Sequence, residues 1–305
     1  EMAFDYGTIL IPAGIQSMEH EALVRTLRDA ASHGAVRIHA LTTGLTSSGP
    51  DLGSRLMQPV VKPSIAVLAG EGVISSETGE IWHLLDHRFG IPVSLVDPAR
   101  LASIDLSRYT VLVVPTGWFG GSDSRAGEAV RDWVRGGGML IVQRGGLSWA
   151  RGAGLLDTGS LRDSGDEEEE SPRRPYVKSS EDRGARAMGG SIFFGKADLT
   201  HPIAYGLDSE RIPLFRSSTD LLEMPSNPYS TPVLYEQDPL AAGYVHPDLL
   251  ARMGGTPAVV VEGAGAGAVI AFADNPNFRA FWFGTNRLFL NAVFFGNTID
   301  RATRN

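Results

Sequence analysis

The stretch GGGMLIVQRGGLSWARGAG (136–154) has the outline of a chemical site: a buried strand over 139–143, a sharp glycine turn, then the start of a helix. A strand-to-helix elbow is where α/β enzymes hold an exposed nucleophile. The elbow here is Arg144-Gly145-Gly146, so neither a thiol nor a hydroxyl stands at it. Ser148, just past the turn, is a candidate for a displaced nucleophile. Serine chemistry needs a positioned base and an oxyanion hole, and the GxSxG signature is absent; a helix-start serine is the plainer reading. Glu71 sits between Gly70 and Gly72 at the carboxyl end of a strand. A carboxylate there can be buried and raised in pKa, or it can simply cap the next helix, and the spacing leaves both open.

His83, Asp86 and His87 stand at i, i+3 and i+4, a spacing that puts them on one helix face and could hold a divalent metal. The same run sends Ile81, Trp82, Leu84, Leu85 and Phe89 toward a core, leaving the histidines at its polar edge. They are weak metal candidates, and no HxxE or HExxH pair supports them. No tightly bound zinc is expected, because stable sites take three or four protein ligands. GAGAGAVIA (263–271) imitates a dinucleotide loop but lies between two strands and opens no helix, so a hairpin turn is the better reading. DNPNFRAFWFG (274–284) follows a buried strand and carries more aromatics than a solvent loop needs. It is expected to be a lid or an interface, with Asn275, Arg279 and Trp282 as its marked residues.

Elements that could position these residues can be read from periodicity. YGTILIPA (6–13), a helix over 17–33 and VRIHALTTG (36–44) predict an N-terminal β-α-β unit, followed by a Gly/Pro/Ser-rich linker, giving a first segment of 1–60. From residue 61 to 300, strands near 64–70, 92–97, 110–115 and 139–143 alternate with amphipathic helices. The first of these helices is expected to be capped by Ser75 or Ser76. This alternation predicts a parallel α/β sheet with helices on both faces. Ligands of such sheets sit beyond the carboxyl ends of the strands, so Glu71, Trp118, Arg144 and Gly145 are expected to converge in one crevice. Residues 157–190 are highly charged and read as a mobile or poorly ordered surface insertion. PAVVVEGAGAGAVIAFAD predicts two strands around a glycine turn, and FGTNRLFLNAVFFGN a closing helix.

The chain has 305 residues, 43% of them hydrophobic and 20% charged, enough for a full core. Its formal net charge of −8 gives nucleic-acid binding no global support. No run is long enough to span a membrane, and no signal peptide is visible; the opening EMAFDYGT looks like a cut from a longer precursor. With no cysteine, thiol nucleophiles, disulfides and zinc-thiolate sites are excluded together.

KPSIAVLAGEGVISSETGEIWHLLDHRFGIPVSLVD, RYTVLVVPTGWFGG, GGMLIVQRGG, LTHPIAYGL and VIAFADNPNFRAFWFGTNRLFLNAVFFGN together resemble the class I glutamine amidotransferase-like domain that follows the catalytic domain of large bacterial zinc carboxypeptidases. The resemblance covers most of the chain and is strongest in the last forty residues. It implies a flavodoxin-like sheet, a periplasmic or secreted setting, and an upstream peptidase domain as partner, with a homo-oligomer as a further possibility. In active amidotransferases the elbow holds a Cys, with a His and a Glu downstream; here the Cys is missing. Zinc would belong only to the upstream domain. The resemblance therefore implies a non-catalytic accessory domain, a pseudoenzyme without a cofactor of its own. Two other readings stand beside it: an independent hydrolase using Glu71, Ser148 or a metal, and a carbohydrate-binding or oligomerisation module.

Overall fold

The structure, a computed structural model, describes residues 2–120, 124–161 and 173–300. The chain divides into two compact units, Glu1–Pro59 and Val60–Asn305.

The first unit holds helix α1 (His20–Gly34) and a short 3-10 turn at Ala13–Ile15. No strand forms among its described residues, so the expected β-α-β unit is reduced to its helix. The reason is a lack of partners. A strand needs a neighbour to satisfy its amides and carbonyls, and Ile9, Ile11, Val36 and Ile38 remain exposed, with Leu23 the buried apolar residue of the unit.

The second unit is built on a nine-stranded sheet. Its strands are β1 (Ile65–Leu68), β2 (Val93–Val96), β3 (Val111–Val114), β4 (Met139–Gln143), β6 (Ser191–Ala197), β7 (Arg211–Arg216), β9 (Val233–Ala242), β10 (Pro257–Ala264) and β11 (Gly267–Phe272). A separate two-stranded sheet pairs β5 (Ser160–Leu161) with β8 (Leu221–Leu222). The large sheet runs in the order β2-β1-β3-β4-β11-β10-β9-β6-β7. Its first five strands are parallel, and from β11 outward every pairing is antiparallel. The parallel half keeps the flavodoxin-like order 2-1-3-4-5, with the fifth place taken by β11, which reaches it only after the chain has built the antiparallel half.

Alternation along the parallel strands separates two apolar layers. Ile65, Val67, Val111, Val113 and Ile141 face helices α2 (Ser75–Trp82) and α7 (Asn286–Phe295), meeting Ile81, Leu85, Leu288 and Phe289. Ala66, Leu68, Leu112, Val114 and Leu140 face α3 (Arg125–Arg135) and α4 (Gly146–Gly152), meeting Val130, Val134, Leu147 and Ala150. Strands covered on both faces read as unbroken apolar runs, as IAVL and VLVV do.

Two local expectations are corrected. Helix α2 has Ile74 at its N-cap with no side-chain cap, so neither Ser75 nor Ser76 caps it; a backbone bond from the Ile74 amide to the Thr116 carbonyl fixes the entry instead. The helix then widens into a π-helical turn at His83–Arg88. Within 157–190, residues 162–172 lie outside the described residues. The remainder is not structureless: β5 pairs with β8, and helix α5 (Ser179–Arg186) is supported by ion pairs Arg174–Asp182 at 2.8 Å and Lys178–Glu181 at 2.7 Å. Helix α6 (Pro247–Met253) lies between β9 and β10. Among the described residues no helix is long and apolar enough to cross a membrane.

Candidate functional site

The elbow after β4 is real and tight. Arg144 takes φ +46°, the left-handed region, and its amide donates to the Phe272 carbonyl of β11. The two glycines after it are forced by contact. A Cβ on Gly145 would stand 2.6 Å from Thr116 Cγ2, and one on Gly146 2.5 Å from the Val114 carbonyl oxygen. Only bare backbone lets α4 start this close to the end of β3.

The position that an exposed nucleophile would occupy therefore carries a guanidinium. Arg144 Nη1 donates to Glu77 Oε1 at 3.0 Å, and Arg144 Nε lies 3.6 Å from Asp274 Oδ1. Both carboxylates are buried, while the Arg144 side chain is about a quarter exposed. Glu77 Oε2 accepts from the Thr116 amide and from Gln143 Nε2. Asp274 Oδ2 accepts from the amides of Ser217 and Ser218, and Oδ1 from Asn275 N. One turn on from Glu77, Glu80 accepts from Asn275 Nδ2 and from the Arg279 amide. Burial pushes its carboxyl above the usual carboxylate range, against those two hydrogen bonds.

Of the four residues expected to converge, Arg144 and Gly145 form the elbow and Gly145 N donates to Thr116 Oγ1. The loops bearing Glu71 and Trp118 do meet, but through backbone: Trp118 N donates to Gly72 O at 2.7 Å, and Val73 bridges Gly117. That short ladder closes the gap between the ends of β1 and β3, where strand order reverses. Their side chains turn outward, Trp118 being 83% exposed and Glu71 exposed too. The carboxylate at the elbow is Glu77, not Glu71. A signal for it lay in the sequence: Glu77, Ile81, Leu84 and Leu85 share one helical stripe, so a carboxylate rides on the apolar face.

Ser148 is exposed on α4, its amide bonded to Gly145 O. The rings of His83 and His87 lie 5.0 Å apart, with Trp82 stacked on His87. Among the described residues no group of three or more His, Asp or Glu is placed to hold a metal. The segment after β11 packs down. Asn275 is buried against Glu80, Trp282 and Phe278 lie against Phe215, and Arg279 and Ala280 take φ +49° and +54°. His201 caps the turn at Pro202–Ala204 by accepting from Ile203 N, and burial drives its pKa down to about 4. An imidazole held neutral in that way is a structural cap. The elbow thus offers acyl transfer neither thiol nor hydroxyl, and its charge is already balanced by protein groups.

The fold is found in solved structures. PurLQS from Thermotoga maritima superposes with a TM-score of 0.50 at 14% identity, covering 76% of this chain and 98% of that one. A protein described as ThuA-like from Parabacteroides merdae ATCC 43184 gives 0.49 at 13% identity, over 78% of this chain and 91% of that one. A β-galactosidase from Bacillus circulans sp. alkalophilus gives 0.43 at 16% identity, over 75% of this chain but 30% of that one. Sheet order, elbow and the first of these matches define a class I glutamine amidotransferase-like α/β fold. No protein-family model and no curated protein matches the sequence.

Proposed function

We propose that this chain is a non-catalytic accessory domain on the amidotransferase fold, of the kind that follows the catalytic domain of large bacterial zinc carboxypeptidases, and that it serves a neighbouring peptidase domain by support or binding. The observation that carries the loss of catalysis is Arg144. It occupies the strained elbow position and is committed to Glu77 and Asp274. Glutamine hydrolysis on this fold passes through a thioester, which needs a thiol, and the chain has no cysteine. The carboxypeptidase context is carried by the sequence resemblance. An assay of the purified chain for glutaminase and carboxypeptidase turnover, with and without added zinc, tests the reading. Rates at buffer level are expected. Turnover well above buffer that disappears in Ser148→Ala or Glu71→Gln would replace it with an independent hydrolase.

A further inference from the structure

The gap between the ends of β1 and β3 is closed by backbone, but a pocket lies on the other side of β1. It is lined by Gly70 just past the end of β1, by Leu95 of the edge strand β2, and by Ser75, Thr78, Gly79 and Trp82 of α2. Ligands of parallel sheets sit beyond the carboxyl ends of strands, as this pocket does. Two of its features have no explanation in packing. Gly79 stands in the middle of α2, where glycine is disfavoured, yet nothing lies within 4 Å of where its Cβ would be. Trp82 and Leu95, one from the helix and one from the strand, line the same space and stay 42% and 55% exposed. The pocket measures about 290 Å³, and an apolar cavity of ~150 Å³ already admits benzene. Being open to solvent, it can take a ring while the rest of a ligand stays outside.

We infer that this pocket binds a neutral aromatic ring, carried by a free small molecule or by a peptide side chain. Trp82 supplies the partner, since aromatic rings attract one another both offset-stacked and edge-on. No charged side chain is in the lining, so a charged ring would lose water without gaining a counter-ion. Asp97 packs against Gly70 from outside the lining and caps the turn at Pro98–Arg100 through the Ala99 amide. A sugar ring would need several hydrogen-bonding partners for its hydroxyls. The lining is poor in them: Thr78 Oγ1 is spent on the Leu68 carbonyl at 2.8 Å, and the other polar side chains there are Ser75 and the Trp82 indole.

The test is a titration of the isotope-labelled full chain with indole, followed by NMR. Saturable shifts are expected at the amides of Gly70, Ser75 and Gly79 and at the Trp82 indole N–H, with a Kd of about 1 mM. Methyl glucoside at the same concentrations is expected to move none of them. Gly79→Leu puts a side chain where the ring would lie and is expected to weaken indole at least about tenfold. The variant is expected to fold, because leucine favours the helix and the site is open. The capped peptide acetyl-Gly-Trp-Gly-amide separates the two sources: if it displaces indole the pocket accepts a peptide-borne ring, and if indole alone binds the ligand is a free small molecule. No saturable shift at these residues in the wild-type chain, which needs no variant to fold, overturns the assignment. So does an equal response to the glucoside, or unchanged indole affinity in folded Gly79→Leu.

Discussion

His201 shows how a single buried group ties stability to pH. Its folded pKa is held near 4 by burial, with Asp198 opposing weakly, while a free histidine titrates near 6.5. Between those values the unfolded chain binds the extra proton. The stabilisation is therefore fully present above about pH 6.5 and is lost as pH falls toward 4. The two values differ enough to make this worth about 3 kcal/mol at the acid end. His201→Asn keeps a side chain that can cap the turn at Pro202–Ala204 but cannot titrate. Urea unfolding at pH 7 and pH 4 should show wild type losing about 3 kcal/mol more than His201→Asn over that interval; parallel losses would mean His201 is charged in the fold.

At the scale of the element, two glycines with opposite surroundings separate packing from propensity. Gly146 opens α4 directly against the end of β3, where an added Cβ meets the Val114 and Pro115 carbonyls at 2.5 and 3.0 Å. Neither backbone can retreat without disturbing the sheet, so Gly146→Ala should cost about 2 kcal/mol. Gly79 lies inside α2 with nothing within 4 Å of where its Cβ would be. There the replacement only removes freedom from the unfolded chain, so Gly79→Ala should add about 0.5–1 kcal/mol. Chemical denaturation of the two variants checks both signs. A neutral Gly146→Ala would mean the elbow is not packed against β3.

For the whole molecule, the proposed lack of amidotransferase chemistry would be architectural as well as chemical. Arg144→Cys would return a thiol to the elbow, yet three further features oppose turnover. Glu77 and Asp274 would face the new sulfur as unbalanced carboxylates and hold its pKa up. The backbone ladder Gly72–Trp118 and Ile74–Thr116 would still close the gap between β1 and β3. The segment 274–285 would remain tied to Glu80. Arg144→Cys is therefore expected to stay at buffer level with glutamine, measured as ammonia release, and its thiol to alkylate slowly at neutral pH. Rapid alkylation together with glutamine turnover would show that a single substitution silenced an otherwise competent site.

The sequence by itself determined four of the five parallel strands; the place of β11 beside β4 came from the tertiary structure. IAVL, VLVV and MLIVQ fall where apolar runs and glycine ends put them, because a strand buried on both faces has a composition that survives without knowledge of its neighbours, and the edge strand VSLV, with Ser94 and Leu95 exposed, falls where its apolar run was read. It also determined the elbow and the absence of a thiol there. It overreached in the first unit, where YGTILIPA and VRIHALTTG have strand-like patterns but nothing to pair with, and pairing is a property of a second segment. Tertiary structure alone decided the chemistry around Arg144. Glu77, Glu80 and Asp274 lie 67, 64 and 130 positions from it in the chain, by subtraction of residue numbers, and helix packing and sheet order bring Glu77 and Asp274 onto one guanidinium and set Glu80 one helical turn from Glu77. Glu71 looked better placed by local rules, because flanking glycines mark a loop. Whether a carboxylate turns inward depends on which loop pairs with which, and here Gly72 pairs with Trp118 and turns Glu71 to solvent.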